Sequence, residues 1–192
     1  MNLKNKPLTQ ILTLTSTLAL LTACSTEAST TTASSDVSTT EATVESTLMS
    51  DSSYSESNST AITFSDQTIT VDGSGAAADG SILTITQPGT YILSGTLSEG
   101  QVRVETVDEA DVQIVLDGAT ITNSTGAAIY VKSANSATIT LAEGTTNTLS
   151  DGEIYTFEDS EDEPDATLFS KSDLILNGTG TLVIDANYAH AI

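Results

Sequence analysis

Asp111-Val-Gln-Ile-Val-Leu-Asp-Gly118 and Ser136-Ala-Thr-Ile-Thr-Leu-Ala-Glu143 are two versions of one phrase, and the offset from 111 to 136 is 25 residues. In both, β-branched or aliphatic residues alternate with polar ones, the period of a strand with one buried face. A second pair repeats at a longer interval: Ala128-Ile-Tyr-Val-Lys-Ser133 matches Thr167-Leu-Phe-Ser-Lys-Ser172, with the acidic run 158–165 inserted between them. A further copy begins at Ala189-His-Ala-Ile192, where the chain given ends mid-repeat. Strand-and-turn units repeating at about this spacing suit a solenoid, in which each unit buries its apolar side chains against the next.

Working outward, the same texture runs from Ala61 to the end. Gln67–Val71, Ser81–Thr86, Thr90–Ser94, Gln101–Glu105, Leu174–Leu176 and Thr181–Ile184 all read as short strands, separated by Gly, Asn and Asp. No window carries a helical apolar stripe. The pattern predicts an all-β domain over 61–192, a parallel β-helix cut short at its C-terminal end. A β-sandwich is the alternative, because the part before Gly100 shows no clean period.

Before Ala61 the composition changes twice. Residues 1–23 carry Lys4 and Lys6, a short apolar stretch and the ending Leu21-Thr22-Ala23-Cys24. Such a segment reads as a secretory signal, too short and too broken by Thr and Ser to span a bilayer. The ending resembles a bacterial lipobox. That resemblance implies a lipid on Cys24, the only cysteine, and a chain anchored at the extracellular face of the bacterial cell membrane. Residues 24–60, almost all Ser, Thr, Ala and Glu, read as a disordered tether.

Charge narrows the partners. The 192 residues hold 26 acidic and 5 basic side chains, and removal of Lys4 and Lys6 with the signal takes the net charge from −21 to −23. Only Arg103, Lys132 and Lys171 then remain basic. Nucleic acid and anionic lipid need a cationic face to neutralise phosphate. Neither is expected, and the membrane is met only through the lipid on Cys24. One cysteine forms no internal disulfide, and there is no Cys/His set for zinc.

Several segments resemble the secreted bacterial carbohydrate-binding domain-containing proteins. They are Gly89-Thr-Tyr-Ile-Leu-Ser-Gly-Thr-Leu97, Leu116-Asp-Gly-Ala-Thr-Ile121, Ala127-Ala-Ile-Tyr-Val131 and Leu141-Ala-Glu-Gly-Thr-Thr-Asn-Thr-Leu-Ser-Asp-Gly152. The likeness implies a right-handed, single-stranded, pectate-lyase-like parallel β-helix, bound calcium, and affinity for plant-type and acidic polysaccharide. Members of that family run on beyond the equivalent of Ile192, so the chain looks like an N-terminal fragment.

Calcium takes six to eight oxygen ligands. Carboxylates at turns (Asp117, Asp151, Glu153, Asp185), the amide Asn187, and Glu158, Asp159 and Asp162 of the acidic run are the candidates. Lys132 and Lys171, at matching places in the repeat, are candidates for a sugar carboxylate, and Tyr130, Tyr155 and Tyr188 for sugar stacking. The expected function is non-catalytic, calcium-assisted binding of an acidic polysaccharide. A calcium-dependent polysaccharide lyase and a structural adhesin are the alternatives. A lyase needs a base near the uronate α-proton, for which Arg103, Lys132 and Lys171 are the cations available.

Overall fold

The computed structural model describes residues 8–12, 52–107, 110–157 and 163–192. Cys24, its proposed lipidation, and most of the signal and tether lie outside them. Leu8–Leu12 forms strand β1. After a single turn of 3₁₀ helix at Glu56–Asn58, the chain runs through β2 (Ser59–Asp66), β3 (Thr68–Asp72), β4 (Ala76–Asp79), β5 (Ile82–Ile85), β6 (Gly89–Leu97) and β7 (Gln101–Glu105). It continues through β8 (Asp111–Asn123), β9 (Ile129–Ser133), β10 (Ser136–Leu141), β11 (Thr146–Asp151), β12 (Leu168–Ser170), β13 (Asp173–Gly178) and β14 (Thr181–Ala186). There is no α-helix among the described residues.

These strands gather into two mixed sheets. The larger runs β1-β14-β11-β8-β6-β2-β3, with β10 lying between β8 and β13; the smaller runs β12-β9-β7-β5-β4. From β6 onward the chain crosses repeatedly between the two sheets, and neighbours laid down on successive passes are parallel. Asp111 pairs with Ser136 and Leu116 with Leu141 across β8 and β10, the register that the 25-residue repeat implies. Ile129 likewise pairs with Leu168 across β9 and β12.

The expected right-handed single-stranded parallel β-helix is corrected by this topology. No closed coil forms among the described residues, and three pairs, β2 with β3, β4 with β5 and β1 with β14, are antiparallel. The arrangement resembles a sandwich of two facing sheets, the alternative reading. The physical cause of the first hairpins is local. Asp66 at φ 58 turns β2 back into β3, and Gly80 at φ 59 turns β4 into β5. Reversals of that kind need left-handed backbone angles, which a parallel coil does not use at those places.

The core lies where the inner faces meet. Ile62, Leu93, Ile114, Leu116, Ile139 and Leu149 come from the larger sheet, and Leu83, Val102, Val104, Ile129 and Val131 from the smaller; all are fully buried. Aliphatic side chains on alternate positions give each strand one dry face, and facing sheets let both dry faces leave water together. A buried amide ties neighbouring passes at the edge of this core. Asn147 is fully buried; its Oδ1 accepts from the Ala119 N–H at 2.9 Å, and its Nδ2 donates to the Thr181 carbonyl at 3.3 Å. Backbone groups of two strands, β8 and β14, are thereby satisfied by one side chain of β11.

Candidate functional site

With Val102 and Val104 turned inward, alternation turns Gln101, Arg103 and Glu105 of β7 outward. On β9 the same rule buries Ile129 and Val131 in the core and sends Tyr130 and Lys132 to the outer face. Register places Arg103 beside Tyr130, and Tyr130 beside Phe169 of β12. The outer face of the smaller sheet is thus a polar and aromatic floor. The chain after β11 walls it: Tyr155, Phe157, Glu163 and Pro164 line, with Gln101, Arg103, Tyr130 and Lys132, one cleft of about 240 Å³. Thr156 fixes that wall by donating its N–H to the Thr125 carbonyl at 2.8 Å.

All three basic residues outside the signal collect here. Lys132 Nζ lies 3.2 Å from Glu105 Oε1, and Arg103 Nη1 lies 3.6 Å from the same oxygen. Lys171, whose N–H bonds to the Val131 carbonyl at 2.9 Å, places its Nζ 3.2 Å from Oε2 of the wall residue Glu163. Arg103 Nε also donates to Gln101 Oε1 at 3.1 Å. Each cation is therefore already engaged by a carboxylate.

Of the residues proposed for sugar, Tyr130, Lys132 and Tyr155 line the cleft, and Lys171 reaches its rim through Glu163. Their ring faces are less available than the sequence suggests. Tyr130 is only 5% exposed and packs edge-on to Phe169, centroids 5.8 Å apart. Tyr155 stacks on Tyr188 at 4.3 Å with planes 17° apart, and Phe157 packs on both. Tyr188 keeps an open side, being 40% exposed. Sequence reasoning missed Gln101, Glu105, Phe157 and Glu163. The alternation in Gln101-Val-Arg-Val-Glu105 was the available signal for the first two.

The proposed metal ligands behave differently. Asp151, Asp185 and Asn187 do come together, but as a joint between passes of the chain. Buried Asp151 accepts from Tyr155 Oη at 2.7 Å and from the Asn187 N–H at 2.5 Å. The Asn187 amide in turn donates to the Asp151 and Asp185 carbonyls at 2.8 and 3.2 Å. Burial first, and then the hydrogen bond and charge of Asp151, push the Tyr155 hydroxyl far above the ordinary tyrosine range. Asp117 sits exposed before Gly118, in whose neighbourhood burial chiefly, and the Asp117 charge next, raise the Tyr54 hydroxyl. Glu153 is exposed on the loop after β11. No group of three His, Cys, Asp or Glu assembles among the described residues. Glu158, Asp159 and Asp162 lie outside the described residues.

An all-β protein of two facing sheets, with a cation-lined aromatic cleft on the outside of the smaller sheet, is the class that fold and site define. A sequence profile described as carbohydrate-binding domain-containing protein matches residues 79–192, and the chain belongs to that family. The cleft lies wholly inside the match. A protein of Acetivibrio thermocellus with the same description is 39% identical over 109 residues, which is 56% of this chain and 38% of that protein. A solved structure described as the polysaccharide lyase-like protein from C. thermocellum, gadolinium derivative, is similar with a TM-score of 0.68 at 38% identity, covering 70% of this chain and 55% of that one. The chain thus spans 38% and 55% of the lengths of these two relatives.

Proposed function

We propose that the chain is a non-catalytic binder of polysaccharide, anchored at the bacterial surface through Cys24 and directed at acidic, plant-type glycan. Family membership supports the carbohydrate. The observation that carries the reading is the convergence of Arg103, Lys132 and Lys171, the only cations left once the signal is removed, on one cleft with Tyr130, Tyr155 and Phe157. Because Glu105 and Glu163 already hold these cations, an anionic sugar binds by exchange. Its carboxylate takes the place of a glutamate, so net Coulomb energy changes little and contacts to the sugar ring set the affinity.

The description of the solved relative favours a second reading, a lyase. Abstraction of a uronate proton needs a lone pair aimed at substrate. Each candidate base instead points a proton at a glutamate, which supports binding over elimination. Affinity electrophoresis in gels cast with polygalacturonate, and separately with a neutral β-glucan, tests the proposal. Retardation that is lost in an Arg103→Ala/Lys132→Ala variant is expected. A chain retarded by no polysaccharide sinks the reading, and unsaturated product absorbing in the ultraviolet replaces it with the lyase. Anchoring is tested apart: labelled fatty acid is incorporated by the wild type and not by Cys24→Ser.

A further inference from the structure

The cleft differs from one end to the other. Strand pairing fixes where its lining residues stand: Ile82 lies beside Gln101, and Arg103 beside Tyr130, about 6.6 Å further along β7. Beyond Arg103 comes Glu105, which Arg103 and Lys132 share, and Lys171 reaches the cleft through Glu163. The opposite end is lined by Ser81, Ile82, Glu99 and Gly100 and holds no described cation. Leu83 and Ile85 point inward, so Ile82 stands on the outer face, 39% exposed. Glu99 is anchored beside it, Oε1 accepting the Ser124 N–H at 3.0 Å, and none of the described ion pairs includes it. A single exposed isoleucine is ordinary on a surface. Its place inside the cleft, away from the cations and next to a fixed carboxylate, is what points to a ligand.

We infer that the cleft selects a glycan in which an acidic ring adjoins an uncharged, apolar-faced one, as in a polymer alternating uronate with 6-deoxyhexose. The inference rests on the reading of the cleft as a glycan site and deepens it. At about 240 Å³ the cleft is smaller than the roughly 300–1,000 Å³ of drug-sized pockets, so it grips a pair of adjoining rings and not a longer stretch. The uronate carboxylate lies at the end of Arg103 and Lys132, in place of a glutamate. The adjoining ring then falls against Ile82, where a methyl group or a pyranose CH face leaves water together with the isoleucine. A carboxylate on that ring would face Glu99, like charge against like. Homopolymeric uronate meets this repulsion in every register, because each of its rings is charged. A wholly neutral chain escapes it but gains nothing from the cations, which stay with their glutamates.

The test sets rhamnogalacturonan backbone, which alternates galacturonate with rhamnose, beside polygalacturonate and the neutral β-glucan in the same gels, with thermal melting of each variant. Wild type is expected to bind the alternating polymer about three- to tenfold more tightly than polygalacturonate. Ile82→Thr keeps the branched shape that suits a strand; it is expected to lose that preference and to bind polygalacturonate as wild type does. Glu99→Gln is expected to tighten polygalacturonate binding about two- to fivefold and to leave the alternating polymer unchanged. Equal affinity of wild type for the two acidic polymers, or a preference that survives in Ile82→Thr, overturns the inference and leaves the glycan reading intact. Neutral β-glucan bound as tightly as the alternating polymer overturns it too. Should Ile82→Thr melt well below wild type, Glu99→Gln decides, and polygalacturonate affinity no higher than that of wild type overturns the inference. Wild type that binds no polysaccharide overturns both readings, which separates the failure of the site from the failure of its selectivity.

Discussion

Removing one oxygen, in Tyr155→Phe, probes the joint that holds the wall of the cleft to the body of the domain. The hydroxyl donates at 2.7 Å to Asp151, a carboxylate only 4% exposed. Phenylalanine keeps the ring that stacks on Tyr188 at 4.3 Å, so the packing term is nearly unchanged. What is lost is one hydrogen bond to a charged, buried acceptor, about 1.5–3 kcal/mol. For a domain of this size roughly 3–5 °C accompanies each kcal/mol, giving a fall of about 5–15 °C in melting temperature at neutral pH. The alkaline limb supplies an independent check. Since the folded state raises the Tyr155 hydroxyl above its ordinary 10.0, the unfolded chain ionises first as pH rises. The stabilisation is complete below pH 10 and is lost above it, at up to about 1.4 kcal/mol per pH unit for one proton. Tyr155→Phe has no such proton to lose, so the gap between the two proteins narrows from pH 10 upward. Circular dichroism melts over a pH series read both effects. A melting temperature within about 1 °C of wild type, with a gap independent of pH, refutes the reasoning.

Four further outcomes are expected of the same domain. Leu149→Ala opens a cavity at a fully buried position and lowers unfolding free energy by about 2–5 kcal/mol in urea titration, whereas a loss below 1 kcal/mol would mean the sheets re-close around it. Gly178→Ala forces a side chain onto a residue at φ 97, against the backbone of Leu141, and destabilises by about 1–3 kcal/mol or more; full stability would show that this corner relaxes. Glu105→Gln frees Arg103 and Lys132 from their shared carboxylate, so polygalacturonate binds about two- to fivefold tighter and more salt-dependently, while unchanged affinity speaks against carboxylate exchange. Calcium remains our proposal for the acidic run 158–165. A melting midpoint that rises with added calcium chloride and falls back in EDTA supports it, and an unresponsive midpoint removes calcium from the account.

Alternation in a strand reports which side chains are buried and nothing about the direction of its neighbour. That is why the repeat at 111 and 136 led to the correct parallel register, while the antiparallel partner of β2 was not legible. The decision lay at Asp66, one residue at φ 58, whose side chain does not advertise a left-handed backbone as glycine does. Closure was illegible for a related reason. A period-2 pattern fits a strand in a coil and a strand in either of two facing sheets equally well, because each asks for one dry face.

The site divides along the same line. Lys132 and Lys171 each follow a stretch that the repeat aligns, Ile129 to Val131 and Leu168 to Ser170, and those stretches do pair in register. Tyr155 and Tyr188 stack across 33 residues of sequence, joined by the insertion, which no periodicity describes. Asp151 shows the limit most sharply. A carboxylate beside a turn offers the same oxygens to a cation, a hydroxyl or an amide, and sequence identifies the acceptor without its donor. Here the donors are Tyr155 and the backbone of Asn187, both neutral. These two bonds hold the buried Asp151 side chain, and the one from the Tyr155 hydroxyl fixes the wall of the cleft in which the cations gather.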